Sequence, residues 1–156
     1  MTNGNASASG KLAKAQLISQ ESDTIEFMFN PTELVFQKSI KVNESRGART
    51  SSGLPKVSFA YPEPYTLSIK NIVFDTYEEG QSVLDKYINK LRKAVDFASK
   101  GAAAKKRPPV YVFTWGEQQY MRCFVERLTY RLTRFLPDGT PVQAKVSLIL
   151  KEIDKP

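Results

Sequence analysis

Histidine is absent from the 156 residues, and cysteine occurs once, at Cys123. The chain therefore lacks the side chain that most often serves as general base and metal ligand, and a lone thiol has no internal partner for a disulfide. Most hydrolase and metalloenzyme chemistries fall away. Cys123 stands between Met121 and Val125 in a run of strand-forming residues, where a thiol acts as a small apolar side chain. Carboxylates remain as a source of acid and base. Glu33 with Glu126 or Asp138 could in principle pair as glycosidase carboxylates do, but no spacing brings two of them together. Asp138 is accounted for by a Pro-Asp-Gly turn, and Glu33 by Asn30-Pro31-Thr32-Glu33, a turn that positions a strand. No catalytic residue, metal ligand or cofactor site is expected.

The other chemistry on offer is charge. A formal net charge of +7 suits an acidic partner, whether nucleic acid, an anionic surface or an acidic protein face. The cations of interest form three groups: Arg46, Arg49 and Lys56; Lys105-Lys106-Arg107; and Arg122, Arg127, Arg131 and Arg134. A nucleic-acid-binding β domain would use the middle group with exposed tyrosines, and the missing glycine-aromatic stacking motif counts against it. Lys105 to Arg107, between alanines and two prolines, reads as a solvated connector. The first and third groups are candidates for a subunit or ring interface, where arginines meet acidic faces of partners.

The elements that would carry these residues follow from apolar periodicity. At 41% hydrophobic and 25% charged residues the chain fits one soluble globular domain, residues 11–156, and its short apolar runs fall far below a membrane span. Residues 1–10, MTNGNASASG, read as a flexible arm with no secretory pattern. Strands are expected over 12–19, 25–29 and 34–42, with a turn at Glu21-Ser22-Asp23 and a stop at Asn30-Pro31. Residues 43–56, NESRGARTSSGLPK, read as a long exposed loop, a kind of connection that in compact domains is usually functional. Leu67 and Ile69 alternate in the next strand until Ile72, Val73 and Phe74 break the pattern, which implies a bulge or burial on both faces. Asp75 and Thr76 then signal a helix over about 77–99, with Val83, Leu84, Tyr87, Ile88, Leu91 and Val95 on its apolar face and Gly101 at its end. An acidic first turn opposes a membrane-surface role for it.

Residues 110–153 read as a three-stranded antiparallel unit with turns at Gly116-Glu117 and Asp138-Gly139, the second bracketed by Pro137 and Pro141. Val142, Ala144, Val146, Leu148 and Leu150 give the last strand one apolar face. In the preceding strand Met121, Cys123 and Val125 share a parity that passes to Leu128, Tyr130 and Leu132, so the phase slips near Glu126-Arg127. From Gln119 to Phe135 this strand would reach about 55 Å at about 3.3 Å per residue. Such a length exceeds what a small domain needs and points to pairing with another copy of the chain.

Four segments, FMFNPTEL, NIVFDTYEEG, PPVYVFTWG and FLPDGTPVQAKVSLILKE, in this order and spacing, closely resemble the tube-like N-terminal domain of LysM-type adaptor proteins of contractile injection systems. The resemblance implies a mainly β (α+β) fold, a tube-protein-like antiparallel sandwich or barrel with one amphipathic helix and a long hairpin, assembling as a hexameric ring. It implies a non-enzymatic baseplate or inner-tube adaptor that links spike to tube, initiates tube assembly and contacts baseplate or sheath proteins, without nucleic acid or membrane insertion. The particle would assemble in a bacterial cytoplasm and end up extracellular or membrane-attached. The motif residues Asn30, Pro31, Phe74, Asp75, Thr76, Trp115, Gly116, Pro137, Asp138 and Gly139 would hold the fold. The long hairpin would form the inner wall and subunit seam, and the 43–56 loop and N-terminal arm would meet neighbouring rings. A LysM module does not follow before Pro156, so glycan binding is not carried over.

Overall fold

A computed structural model of the protein describes residues 11–99, 101 and 104–154. The expected arm at residues 1–10 lies outside the described residues. Among the described residues nine strands are formed: β1 (Ala15–Ile18), β2 (Ile25–Glu26), β3 (Val35–Gln37), β4 (Ile40–Arg49), β5 (Pro55–Pro62), β6 (Thr66–Asp75), β7 (Tyr111–Trp115), β8 (Gln118–Phe135) and β9 (Pro141–Glu152). Seven make one antiparallel sheet in the order β2-β1-β7-β8-β9-β6-β3, and among the described residues β4 and β5 pair only with each other. The sheet curls into a half-barrel, so the mainly β fold expected from the sequence is what the chain adopts. Phe36 on the edge strand β3 comes within 5.9 Å (ring centroids) of Tyr120 on β8, which places the two close together across the curl.

Alternation decides which side is buried. Every second residue of β9, from Val142 to Leu150, is buried, and Leu67, Ile69, Ile72 and Phe74 of β6 join them. Tyr111 and Phe113 of β7 and Met121, Cys123 and Val125 of β8 complete that face, and helical residues cover it. The slip expected near Glu126-Arg127 is present as a register shift between Val125 and Arg127 against β9. The break in β6 is a bulge between Ile69 and Ile72, where Asn71 takes a φ of 57°.

Two expectations are corrected. The helix expected over 77–99 is shorter: a π-helical turn, Leu84–Ile88, runs into α1 (Asn89–Ala94). Asp75 does cap an amide, that of Tyr77, but Gly80 at φ +70° closes this first turn before a helix can propagate. The π turn bonds Asn89 N–H to the Leu84 carbonyl, five residues back, so Val83 and Ile88 both face the core and Val95 falls outside, exposed. Residues 43–56 are not an open loop. They form most of a β4–β5 hairpin whose tip closes with Gly53 N–H donating to the Thr50 carbonyl at 2.9 Å. Gly47 and Gly53, both at positive φ, supply the kinks that a glycine-rich stretch suggests, but within a ladder.

Candidate assembly surface

The motif residues sit where strands must be joined or ended. Asn30 acts as a substitute backbone: its Oδ1 accepts from Ala15 N–H at 2.9 Å and its Nδ2 donates to the Ala13 carbonyl at 2.8 Å, extending the pairing of β1. Pro31 behind it is buried. Phe74 packs on Tyr87 with ring centroids 4.8 Å apart, tying β6 to the helical segment. Thr76 is buried, donates its hydroxyl to the Gln81 carbonyl at 2.5 Å, and its N–H reaches the Val142 carbonyl. Trp115 pairs with Ala15, and Gly116 at φ +64° begins the two-residue turn into β8. At the opposite hairpin tip, Pro137 is exposed, Asp138 Oδ1 accepts from Thr140 N–H at 2.9 Å, and Gly139 takes φ +92°. That backbone bond, then the Thr140 side chain, lowers the Asp138 pKa.

The candidate interface cations divide into two places. Arg46, Arg49 and Lys56 ride on the β4–β5 hairpin near its tip. Arg122, Arg127, Arg131 and Arg134 are exposed along β8. Arg134 stands apart from the other three, because its guanidinium lies 3.5 Å over the Tyr77 ring. It also neighbours Asp75, whose Oδ1 accepts from Tyr77 N–H and Oδ2 from Gln143 Nε2. The Tyr77 amide, then the Gln143 amide, with a smaller contribution from Arg134, holds the Asp75 carboxyl below its ordinary pKa.

What the sequence did not single out is the apolar side of the hairpin. Val42 lies directly opposite Phe59, Glu44 opposite Val57 and Ile40 opposite Pro62, so these side chains share one face. Phe59 is 77% exposed, Ile40 53% and Val57 47%. Lys41 and Tyr61 take the other face. The alternating pattern was present in the sequence, but it was masked by the polar, glycine-bearing stretch between the two runs.

The remaining polar candidates are fastened within the chain. Arg107 makes a two-pronged ion pair with Glu21, each oxygen 2.9 Å from a guanidinium nitrogen, and Glu21 Oε1 also accepts from Val110 N–H at 2.9 Å. This joins the turn between β1 and β2 to the segment entering β7, and Arg107 belongs to it more than to a solvated basic run. Cys123 is buried, and burial pushes its thiol up to about 12. Glu126 faces Lys151 at 3.7 Å, far from any carboxylate partnership with Asp138 at the hairpin tip. No helix among the described residues is long and apolar enough to cross a membrane.

No curated protein matches the chain. The family model for contractile injection system tube proteins does, over residues 11–156, and the chain belongs to the contractile injection system tube protein family.

Proposed function

We propose that the protein is a non-enzymatic ring subunit at the spike end of the inner tube, a hexameric baseplate adaptor that joins spike to tube and initiates tube assembly. The observation that carries this reading is the β4–β5 hairpin, which among the described residues pairs only with itself and leaves Ile40, Val42, Val57 and Phe59 uncovered. A lone two-stranded ribbon is marginal in water, so the apolar face calls for a partner surface. In a ring of identical chains the partner is the neighbouring copy. The arginines near the hairpin tip then meet acidic faces of the next ring, and the sheet built on β8 and β9 lines the passage.

The resemblance to LysM-type adaptors in the four motif segments supports the spike-end position over an ordinary tube position. The test is electron microscopy of the purified protein alone and with spike and tube partners. Six copies per ring, with tube growing from it, are expected. A chain that stays monomeric with both partners present overturns the proposal. Charge reversal at Arg46 and Arg49 together should leave a folded protein that assembles poorly, and loss of folding there would count against an interface role.

A further inference from the structure

The outward side of the β6-β9-β8 sheet carries a block of positive charge with little local compensation. Arg131 lies directly opposite Lys145, Thr129 opposite Ser147 and Arg127 opposite Ile149. On β6, Val73 flanks Lys145 and Ser68 flanks Ile149. Residues directly opposite share a face, so Arg127, Arg131 and Lys145 project together, away from the buried Val146 and Leu148. Among the described residues none of these three makes an ion pair, whereas Lys151 at the end of the block has Glu126. Like charges directly opposite in a ladder destabilise it, and nothing in the packing requires them, because these side chains leave the core.

We propose that this face binds an acidic polypeptide in extended conformation. Arg127 and Arg131 are four residues apart on one strand, about 13 Å at about 3.3 Å per residue, and Thr129 and Ser147 fill the interval with hydroxyls. An extended chain repeats its side chains at the same interval, so acidic residues spaced along it meet both arginines while the hydroxyls bond to its polar groups. Nucleic acid is the less suited polyanion, because the block between Arg127 and Arg131 presents no aromatic ring on which bases stack. The proposal rests on the ring reading for its location, since the same face then lines the passage and meets whatever travels or is anchored within it.

The probe is a fluorescein-labelled peptide of alternating glutamate and serine, followed by anisotropy at increasing salt, with an oligothymidylate of equal length as comparator. Wild-type protein should bind the peptide more tightly than the oligonucleotide, with affinity falling as salt rises. Because each solvent-accessible pair contributes little, the triple variant Arg127→Gln, Arg131→Gln, Lys145→Gln should lose about tenfold in affinity. Lys145→Gln alone should lose about two- to threefold, and this milder variant keeps the test open if the triple one misfolds. Unchanged binding in the variants, or tighter binding of the oligonucleotide, overturns the proposal. Native mass of the same samples separates it from the ring reading. A protein that binds the peptide through these residues as a monomer retains the face whether or not the ring forms with spike and tube partners present.

Discussion

Replacing Phe59 by serine separates the stability of the chain from the stability of an assembly. Phe59 is 77% exposed and lies opposite Val42 on a hairpin outside the main sheet. Its removal therefore uncovers almost nothing within the chain, and the melting temperature of the isolated subunit should shift by no more than a surface substitution does, within about 0.5 kcal/mol. Burying a phenylalanine fully contributes about 1.5–3 kcal/mol, and most of that remains unrealised in the single chain. If a neighbouring copy covers the ring, Phe59→Ser should forfeit about 1–2 kcal/mol per contact, weakening each contact by about 5- to 30-fold. In a closed ring every subunit makes the contact, so the loss compounds. Sedimentation velocity across a concentration series reads the assembly, and thermal circular dichroism reads the fold. A variant that assembles at the wild-type concentration would refute the docking argument. A variant whose subunit fold collapses would show instead that Phe59 supports its own chain.

Five further outcomes concern the isolated chain. Val146 is fully buried in the central strand β9, so Val146→Lys should abolish folding by circular dichroism, while Leu128→Lys, at a half-buried position, should leave a weakened but cooperative transition. Glu21→Gln removes the charge paired with the partly buried Arg107 and should cost about 1–3 kcal/mol in urea denaturation. Asp75 has a folded pKa below its ordinary value of 3.8, so the stability it contributes is present above that value and is lost as pH falls through the lower folded one. Asp75→Asn should flatten the acid limb of a melting-temperature profile. Cys123, with its thiol held near 12, should resist iodoacetamide at pH 8 until the protein is unfolded.

Where side-chain parity was visible, the sequence was enough. The slip at Glu126-Arg127 and the break after Ile69 both appear as register shifts, because a one-residue change of phase moves apolar side chains to the wrong face unless the backbone bulges. Gly116, Gly139 and Asp138 were readable for the same local reason, since turn geometry admits few residues. The β4–β5 hairpin was not. Its strands are held by each other and not by the core, so the polar run from Asn43 to Lys56 carried no signature of burial to betray them. The helix start was misplaced because the capping signal at Asp75-Thr76 is real but serves a single turn that Gly80 ends. Arg107 reads as a solvated cation in the sequence because its partner, Glu21, lies 86 residues away. The outward row of Arg127, Arg131 and Lys145 likewise depends on the β8–β9 register, which fixes which cations face each other.

The proposed ring places a second copy of the chain over the uncovered face of the hairpin. A photo-crosslinking residue placed at Phe59 tests it most directly, with irradiation of the assembled protein and mass spectrometry of the products. A covalent link between two copies is expected, joining the hairpin of one chain to the body of its neighbour, at a yield that falls on dilution below the assembly concentration. Crosslinks confined to the same chain, or absent from particles that electron microscopy shows to be assembled, would contradict it.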